Sequence, residues 1–334
     1  MKTIGIVVIV VIGILIGSYY FFVYGADVTE KPAELEKVTV TAYEGDVAVL
    51  VYIAKEKGYF EENGLDVTIK SYASGRLAAD ALLADEADVS TSGDFAFVSD
   101  SFANDDLRVF GTTSYFDLCE VVARKDRGIS NPSDLKGKKI GVLKDGAPEF
   151  HLGTFLIFNG LSLEDVEIVY LSAAETVEAI IDGEIDATMI WNPYAYTIKN
   201  SLGDNAISWP GQNGQRMYFL LLCKEKWIKN NPDTVKRFTK ALVETEEYAK
   251  ANEKEVKEFT IHRFGYDADY FESIWKEIDI SVEISQTMLV TLEGQARWRI
   301  VNNLTDKTEI PNYLDYFYTD ALEEVKPESV TIIR

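Results

Sequence analysis

The feature that most constrains the fold is an internal repeat. The eight residues ALLADEAD at positions 81–88 align without a gap with AIIDGEID at positions 179–186, which begins 98 residues later. In both copies an apolar stretch with helical spacing ends in a polar turn. A strand-like run follows each turn, DVSTSG in the first copy and IDATMI in the second. A helix and a strand that recur in this order predict two similar α/β lobes.

The segments upstream of the two copies also correspond. KVTVTAYEGD precedes a helical pattern that ends at Asn63-Gly64-Leu65, and KKIGVLKDGAP precedes one that ends at Asn159-Gly160-Leu161. Strands that alternate with helices are typical of layers built on a largely parallel sheet. In such sheets ligands bind beyond the carboxyl ends of the strands, where helix N-termini present unpaired N–H groups. Two such lobes therefore predict a ligand crevice between them.

The N-terminal segment predicts export of the chain. Thr3–Gly25 contains no charged residue, and about 20 apolar residues suffice to cross a bilayer. We therefore predict a membrane anchor or a signal peptide at residues 1–26. Lys2 precedes the apolar run and five aromatic residues end it, whereas Val23-x-Gly25 loosely fits a cleavage site, so both alternatives stay open. Residues 27–37 are polar, contain Pro32, and read as a linker.

Charge excludes several classes of partner. The chain has 33 Lys and Arg against 55 Asp and Glu, a net charge of −22. Nucleic acid is therefore not an expected partner, and attachment to a membrane requires insertion rather than adsorption. Two histidines and two cysteines are too few for a zinc site or a disulfide scaffold, so we expect no metal and no cofactor. Cys119 and Cys223 lie near the predicted crossings between the lobes, and a disulfide between them stays open.

Catalytic signatures are missing from the sequence. It contains no GxSxG, HExxH, Walker or GxGxxG pattern, and His151 and His262 stand alone on predicted helices. We therefore expect no catalytic residue, and the chain is predicted not to be an enzyme.

Five stretches carry a family resemblance: IAKEKGYFEENGLDVTI (53–69), ALLADEADVSTSG (81–93), VVARKDRGISNPSDLKGKKIGV (121–142), LSAAETVEAIIDGEIDATMIWNPY (171–194) and LLCKEKWIKNNPDTVKRFTKAL (221–242). In order and spacing they resemble substrate-binding proteins of ABC importers in the nitrate, sulfonate and taurine group. That group also includes binders of the thiamine pyrimidine precursor.

The resemblance implies an α/β fold of the two-lobed type II periplasmic-binding-protein kind, with a mainly parallel sheet flanked by helices in each lobe. It implies a first lobe of residues 38–117 and 222–334 and a second of residues 118–221, with the helices after residue 235 packed on the first lobe. The implied function is extracytoplasmic capture of a small organic solute, sulfonate- or taurine-like or aminopyrimidine-like, for an ABC permease and its ATPase. The alternatives are an enzyme on the same fold that acts on a small carboxylate precursor, and a receptor domain that signals through its anchor.

The resemblance also places the ligand site in the loops that follow the strands. The ligand-binding residues it implies there are Tyr43, Glu44, Asp46, Ser74, Gly75, Ser92, Gly93, Asp94, Ser114, Tyr115, Asp145, Gly146, Glu149, Trp191 and Asn192. For Asp94 and Asn192, capping of their own helices is an equal alternative. Trp191 follows a strand, where its ring could stack on a ligand.

These loops are rich in acidic residues. Arg76 and Lys144 are the bases near them, and the acids are Glu44, Asp46, Asp94, Asp145 and Glu149. A bare anion such as nitrate would be repelled and is disfavoured. The pattern favours a ligand whose amine pairs with a carboxylate while helix N-termini hold its polar or anionic end. Taurine fits this description, as does an aminopyrimidine stacked by Tyr43, Tyr115 or Trp191.

Overall fold

The computed structural model describes residues 35–333. Within this range the strands are β1 Glu36–Tyr43, β2 Leu65–Tyr72, β3 Val89–Gly93, β4 Leu107–Phe116, β5 Cys119–Arg124, β6 Lys139–Val142, β7 Glu167–Tyr170, β8 Ala187–Trp191, β9 Ala206–Pro210, β10 Met217–Lys224 and β11 Ile278–Ile280. The helices in the same range are α1 Val49–Glu56, α2 Tyr59–Glu62, α3 Gly75–Leu83, α4 Asp94–Ser101, α5 Ala147–Phe158, α6 Ala173–Asp182, α7 Tyr194–Leu202, α8 Glu225–Asn230, α9 Pro232–Ala251, α10 Glu253–Phe264, α11 Ala268–Ile274, α12 Gln286–Val301 and α13 Asp320–Val325.

The predicted anchor or signal peptide at residues 1–26 lies outside the described residues, as does most of the predicted linker. Strand β1 begins at Glu36, so the last two residues of the predicted linker, 36 and 37, belong to the first sheet. Among residues 35–333, no helix has both the length and the apolar character needed to cross a membrane.

The strands form two separate sheets. The first has the order β11-β4-β10-β3-β1-β2, and the second has the order β7-β6-β8-β5-β9. In the first sheet β1 pairs in parallel with β2 and β3, and in the second β6 pairs in parallel with β7 and β8. The two copies of the repeat lie in different sheets, because β3 follows the first copy and β8 follows the second.

Both sheets are mixed rather than mainly parallel in their pairing. Strand β10 pairs antiparallel with β3 and β4, and β5 pairs antiparallel with β8 and β9. Strands β5 and β10 are the strands that enter each sheet directly from the other sheet.

The chain passes between the sheets at two places. Residues 117–118 join β4 to β5, and residues 211–216 join β9 to β10. The predicted lobe boundary at residue 222 falls inside β10, which pairs along its length in the first sheet. The return crossing therefore ends before Met217. Sequence alone does not locate it, because MYFLLLC is uniformly apolar and carries no turn residue.

The repeat is preserved in its hydrogen bonds. Asp88 ends the first copy, accepts the N–H of Thr39 at 2.8 Å and donates its own N–H to Thr39. Asp186 ends the second copy and makes the same pair of bonds to Lys139, with 2.9 Å from the Lys139 N–H to its carboxylate. Each aspartate joins one strand to the turn before the next, which explains why both copies end in the same residue.

Most of the C-terminal helices pack around the first sheet. Helix α9 lies against α1, α2 and α13. Helix α12 differs, because it contacts both α4, which follows β3 of the first sheet, and α5, which follows β6 of the second. This helix therefore links the two α/β layers.

The two cysteines are separately buried free thiols. Cys119 lies beside Met217, with 3.7 Å between the sulfur atoms, and Cys223 lies beside the carbonyl oxygen of Arg108. The disulfide left open by the sequence is therefore not formed.

Candidate functional site

A cavity of about 580 Å³, part of it open to solvent, is bounded by residues of both sheets and their loops. The first-sheet part contributes Tyr43, Asp46, Val47, Ser74, Gly75, Arg76, Gly93, Ala96, Phe116, Met217 and Phe219. The second-sheet part contributes Leu143, Gly146, Ala147, Pro148, Trp191 and Asn192, and Leu118 belongs to the first crossing. The cavity thus lies where two α/β layers bring the ends of their strands together.

Eight of the predicted ligand-binding residues line this cavity: Tyr43, Asp46, Ser74, Gly75, Gly93, Gly146, Trp191 and Asn192. Ser74 also caps α3, since its Oγ accepts the N–H of Leu77 at 3.2 Å. Gly75 is required by close packing, because a Cβ there would lie 3.0 Å from the backbone nitrogen of Gly93. Asn192 has a second role, because its side-chain oxygen accepts the Tyr196 N–H at 3.2 Å at the start of α7.

The other seven predicted residues do not line the cavity. Glu44 is exposed and lies 3.5 Å from Arg263. Tyr115 packs under the guanidinium of Arg216, which lies 4.8 Å from the ring centroid. Ser92 is buried within β3. The remaining four residues are Asp94, Ser114, Asp145 and Glu149.

Asp94 and Ser114 do not line the cavity, but they form hydrogen bonds with residues in its wall or next to it. Asp94 accepts the N–H groups of Phe95 at 2.7 Å and Tyr218 at 3.0 Å, and so joins α4 to β10. Burial raises the pKa of Asp94 to about 6. Ser114 donates its hydroxyl to the carbonyl oxygen of Val47 at 2.7 Å. These contacts hold the residues that line the cavity.

Asp145 and Glu149 lie next to the second sheet, and the carboxylate of each already has partners within the fold. Asp145 forms an ion pair with Arg299 of α12 at 2.8 Å. Glu149 accepts the hydroxyl of Tyr170 at 2.6 Å and the N–H of Asp145 at 3.1 Å. Burial raises the pKa of Glu149. Of the five acids expected near the ligand, only Asp46 therefore lines the cavity.

Asp46 is the carboxyl group of the cavity. It is 2% exposed, its Oδ1 accepts the N–H of Val47 at 2.9 Å, and its Oδ2 has no hydrogen-bond partner. Removal from water disfavours the charged form, and burial raises the pKa of Asp46 to about 7. This carboxyl group is held in place but only half satisfied.

The walls of the cavity are mainly apolar and aromatic. Phe219 of β10 lies 5.9 Å from the ring of Tyr43 and 6.3 Å from that of Phe116. Trp191, from the second sheet, lines the same cavity as Tyr43 from the first. Sequence reasoning missed Phe219 and Met217, because both sit in an apolar strand where every position looks like core.

Arg76 is the basic residue of the cavity wall, and its guanidinium is already bound. It donates to Asp80, at 3.0 Å from Nε, and pairs with Asp100 at 2.8 Å. A further N–H donates to the carbonyl oxygen of Ala96 at 3.3 Å. The positive charge next to the cavity is therefore already neutralised by two carboxylates.

A second contact joins the two layers beside the cavity. Phe95 of α4, Phe150 of α5 and Trp298 of α12 have ring centroids 5.5 to 5.8 Å apart. The ring of Trp298 lies over Gly153 so closely that a Cβ would collide with it. With the Arg299 and Asp145 ion pair, this aromatic cluster fixes α12 against α5.

The two crossings are joined by one side chain. Gln212 is fully buried, and its Oε1 accepts the N–H groups of Leu118 at 2.7 Å and Cys119 at 2.8 Å. Its Nε2 donates to the carbonyl oxygens of Phe116 at 3.0 Å and Gln215 at 2.9 Å. This amide fixes the spacing of the segments about which the two sheets could rotate.

The charged side chains among the described residues that line the cavity are Asp46 and Arg76. Among the described residues, those that line it include no histidine, cysteine or lysine. His151 is buried in α5, and burial lowers its pKa to about 3, which leaves it neutral. In the described part of the chain, no group of three or more histidine, cysteine and acidic side chains could hold a metal ion.

This architecture is the α/β fold of periplasmic binding proteins. The structure matches the alkanesulfonate-binding protein SsuA of Xanthomonas axonopodis pv. citri bound to MOPS, with a TM-score of 0.74 and 19% identity over 86% of this chain and 99% of that one. It also matches the desulfurization enzyme DszB, with a TM-score of 0.63 and 15% identity over 87% of this chain and 99% of that one. At these identities the likeness concerns the fold alone.

The family follows from the sequence comparisons. The model described as NMT1/THI5 like matches residues 47–256, and the chain belongs to this family, as the resemblance predicted. A putative aliphatic sulfonates-binding protein of Bacillus subtilis is 26% identical over 81% of this chain and 84% of its own length. The taurine-binding periplasmic protein of Escherichia coli is 24% identical over 66% and 68%. Putative binding proteins of Brucella abortus are 28% identical over 62% of this chain, which spans 65% of their length.

Proposed function

We propose that the protein is the extracytoplasmic solute-binding component of an ABC importer. It captures a small organic solute, sulfonate- or taurine-like or aminopyrimidine-like, between its two α/β layers and delivers it to a membrane permease driven by an ATPase. The layers act as two lobes that close around the solute by rotation at the crossings, residues 117–118 and 211–216. The names of the relatives support the class of function, and the N-terminal segment supports the location.

The cavity is the observation that carries this proposal. Its wall takes residues from loops of both sheets, so a solute bound there contacts both layers at once and favours the closed arrangement. Tyr43 from the first sheet and Trp191 from the second both line the cavity, so each layer contributes an aromatic side chain to the wall.

Ligand identification tests the proposal. The full chain is purified from its native host under mild conditions, and native mass spectrometry is used to look for a bound small molecule. Thermal shift is then measured against taurine, alkanesulfonates, aminopyrimidines, amino acids and nitrate. We expect one organic class to raise the melting temperature and nitrate to have no effect. A protein that carries and binds no small molecule would contradict the proposed function.

An enzyme on the same fold is the second candidate. The match to DszB shows that the fold can carry catalysis, and this observation keeps the candidate open. Incubation of the protein with the ligand found by mass spectrometry separates the two functions. A binding protein returns the ligand unchanged, whereas an enzyme releases a product.

A further inference from the structure

Asp46 lines the cavity, and one of its carboxylate oxygens has no hydrogen-bond partner. Oδ2 has no partner although the residue is 2% exposed, whereas Oδ1 is bound to the N–H of Val47. Asp94 is equally buried but accepts two backbone N–H groups. A buried charged acceptor without a donor is costly, so a donor supplied by a ligand would recover that free energy.

The position of Asp46 is fixed before any ligand arrives. The carbonyl oxygen of the next residue, Val47, accepts the hydroxyls of Thr113 and Ser114, both at 2.7 Å. The N–H of Asp46 donates to the hydroxyl of Tyr266 at 3.4 Å. Binding of a ligand group to this carboxylate therefore costs little conformational entropy of the protein.

Aromatic rings surround the same space. Tyr43, Phe116, Trp191 and Phe219 line the cavity together with aliphatic side chains. Aromatic faces attract organic cations and also pack against apolar groups. A ligand with a positively charged end and an apolar body matches both the carboxylate and these walls.

Among the described residues that line the cavity, no positively charged side chain is free to pair with an anionic ligand. Arg76 is the basic residue there, and its guanidinium is shared between Asp80 and Asp100. A sulfonate would have to displace one of these carboxylates or rely on uncharged donors, such as the Ser74 hydroxyl and backbone N–H groups. The charge balance of the wall therefore favours cations over anions.

We infer that the cavity takes an organic cation of the ammonium or amidinium class, whose N–H groups pair with Asp46 and whose apolar body lies among the aromatic walls. The inference rests on the proposed function and narrows its ligand. It separates this chain from the relative that is named for aliphatic sulfonates.

Two ligands of similar size and opposite charge test the inference. Isothermal titration is performed at pH 8 on the full chain with benzamidine and with benzenesulfonate. The same titrations are repeated with Asp46→Asn and with Asp269→Asn. The amide introduced by Asp46→Asn keeps an oxygen that can accept the Val47 N–H. Asp269 is an exposed carboxyl group on α11 and serves as the matched control.

We expect benzamidine to bind the unaltered protein at least about tenfold more tightly than benzenesulfonate, and Asp46→Asn to weaken benzamidine binding by at least about tenfold. Asp269→Asn should leave it unchanged. Tighter binding of benzenesulfonate, or benzamidine binding that survives Asp46→Asn, would overturn the inference but not the proposed function. Binding of neither probe would overturn the inference, and the proposed function would fall as well only if mass spectrometry also found no ligand.

Discussion

Asp46 combines burial with an incomplete set of hydrogen bonds, so it lowers the stability of the ligand-free protein. Its pKa rises from 3.8 to about 7 on folding. Between these values the folded protein keeps a proton that the unfolded chain has lost, and stability therefore falls as the pH rises from about 4 to about 7. Above pH 7 the loss is complete.

The substitution Asp46→Asn should therefore stabilise the ligand-free protein. The Asn side chain cannot ionise, so the gain should reach between about 1 and 4 kcal/mol above pH 7 and vanish near pH 4. Denaturant unfolding at pH 8 and pH 4 measures both values. A variant less stable than the original protein at pH 8 would show that the carboxylate has a partner inside the fold.

Binding of a cation should depend on the same ionisation. Below about pH 7 Asp46 takes up a proton, so the affinity for benzamidine should fall by up to about tenfold per pH unit. The titratable groups nearest to Asp46 are the hydroxyls of Tyr43, Tyr266 and Tyr270, and burial raises their pKa values, so they stay protonated throughout. Titrations between pH 8 and pH 5 check this, and an affinity constant over that range would rule out pairing with Asp46.

The chemistry of the site was only partly predictable from single residues. The positions of Asp46, Gly75 and Trp191 follow from the ends of strands, and all three line the cavity. The acids Asp94 and Asp145 also follow strands, but their carboxylates bind Tyr218 and Arg299, which lie 124 and 154 residues away in the chain. Such distant partners leave no local signal, so the number of free acids was overestimated.

At the level of elements, α12 and α5 pack too closely for a side chain at Gly153. The ring of Trp298 occupies the position that a Cβ would take. Trp298 is itself 9% exposed and lies between Phe95 and Phe150, so it has little room to move. This contact is one of the links between the two layers.

The substitution Gly153→Ala should lower stability by about 1 to 3 kcal/mol, because it forces the aromatic cluster apart. Gly294→Ala in α12 is the matched control. That position has open space around it and should be neutral or gain up to about 1 kcal/mol of helix stability. Thermal unfolding of both variants measures the difference, and equal melting temperatures would contradict the packing described.

The elements themselves were largely predictable. The repeat located α3, β3, α6 and β8, because its apolar spacing and its final aspartate recur in both copies. The entry of β5 and β10 as antiparallel strands was not predictable, because the local pattern of a buried strand does not record its direction. The link between α12 and α5 was also missed, since Gly153 and Trp298 are far apart in sequence.

At the level of the whole molecule, the crossings carry the relative motion of the two layers. Gln212 binds three backbone groups at the other crossing, on Phe116, Leu118 and Cys119. Backbone groups that are buried without partners destabilise a fold, so this amide holds the crossings at one spacing.

The substitution Gln212→Ala should cost about 2 to 5 kcal/mol, because it leaves those three backbone groups without their partner. Gln215→Ala is the control, since Gln215 is exposed in the same segment and its contact with Gln212 uses only its backbone oxygen. Denaturant unfolding compares the two variants. If Gln212→Ala lowered the free energy of unfolding as little as Gln215→Ala does, the Gln212 amide would not join the crossings.

A crystal structure of the full chain with its co-purified ligand tests the central claim most directly. We expect a single small molecule in the cavity lined by Tyr43 and Trp191, with an N–H group of that molecule within hydrogen-bonding distance of Asp46 Oδ2. A ligand bound outside this cavity, or one held only by the residues of a single sheet, would contradict it.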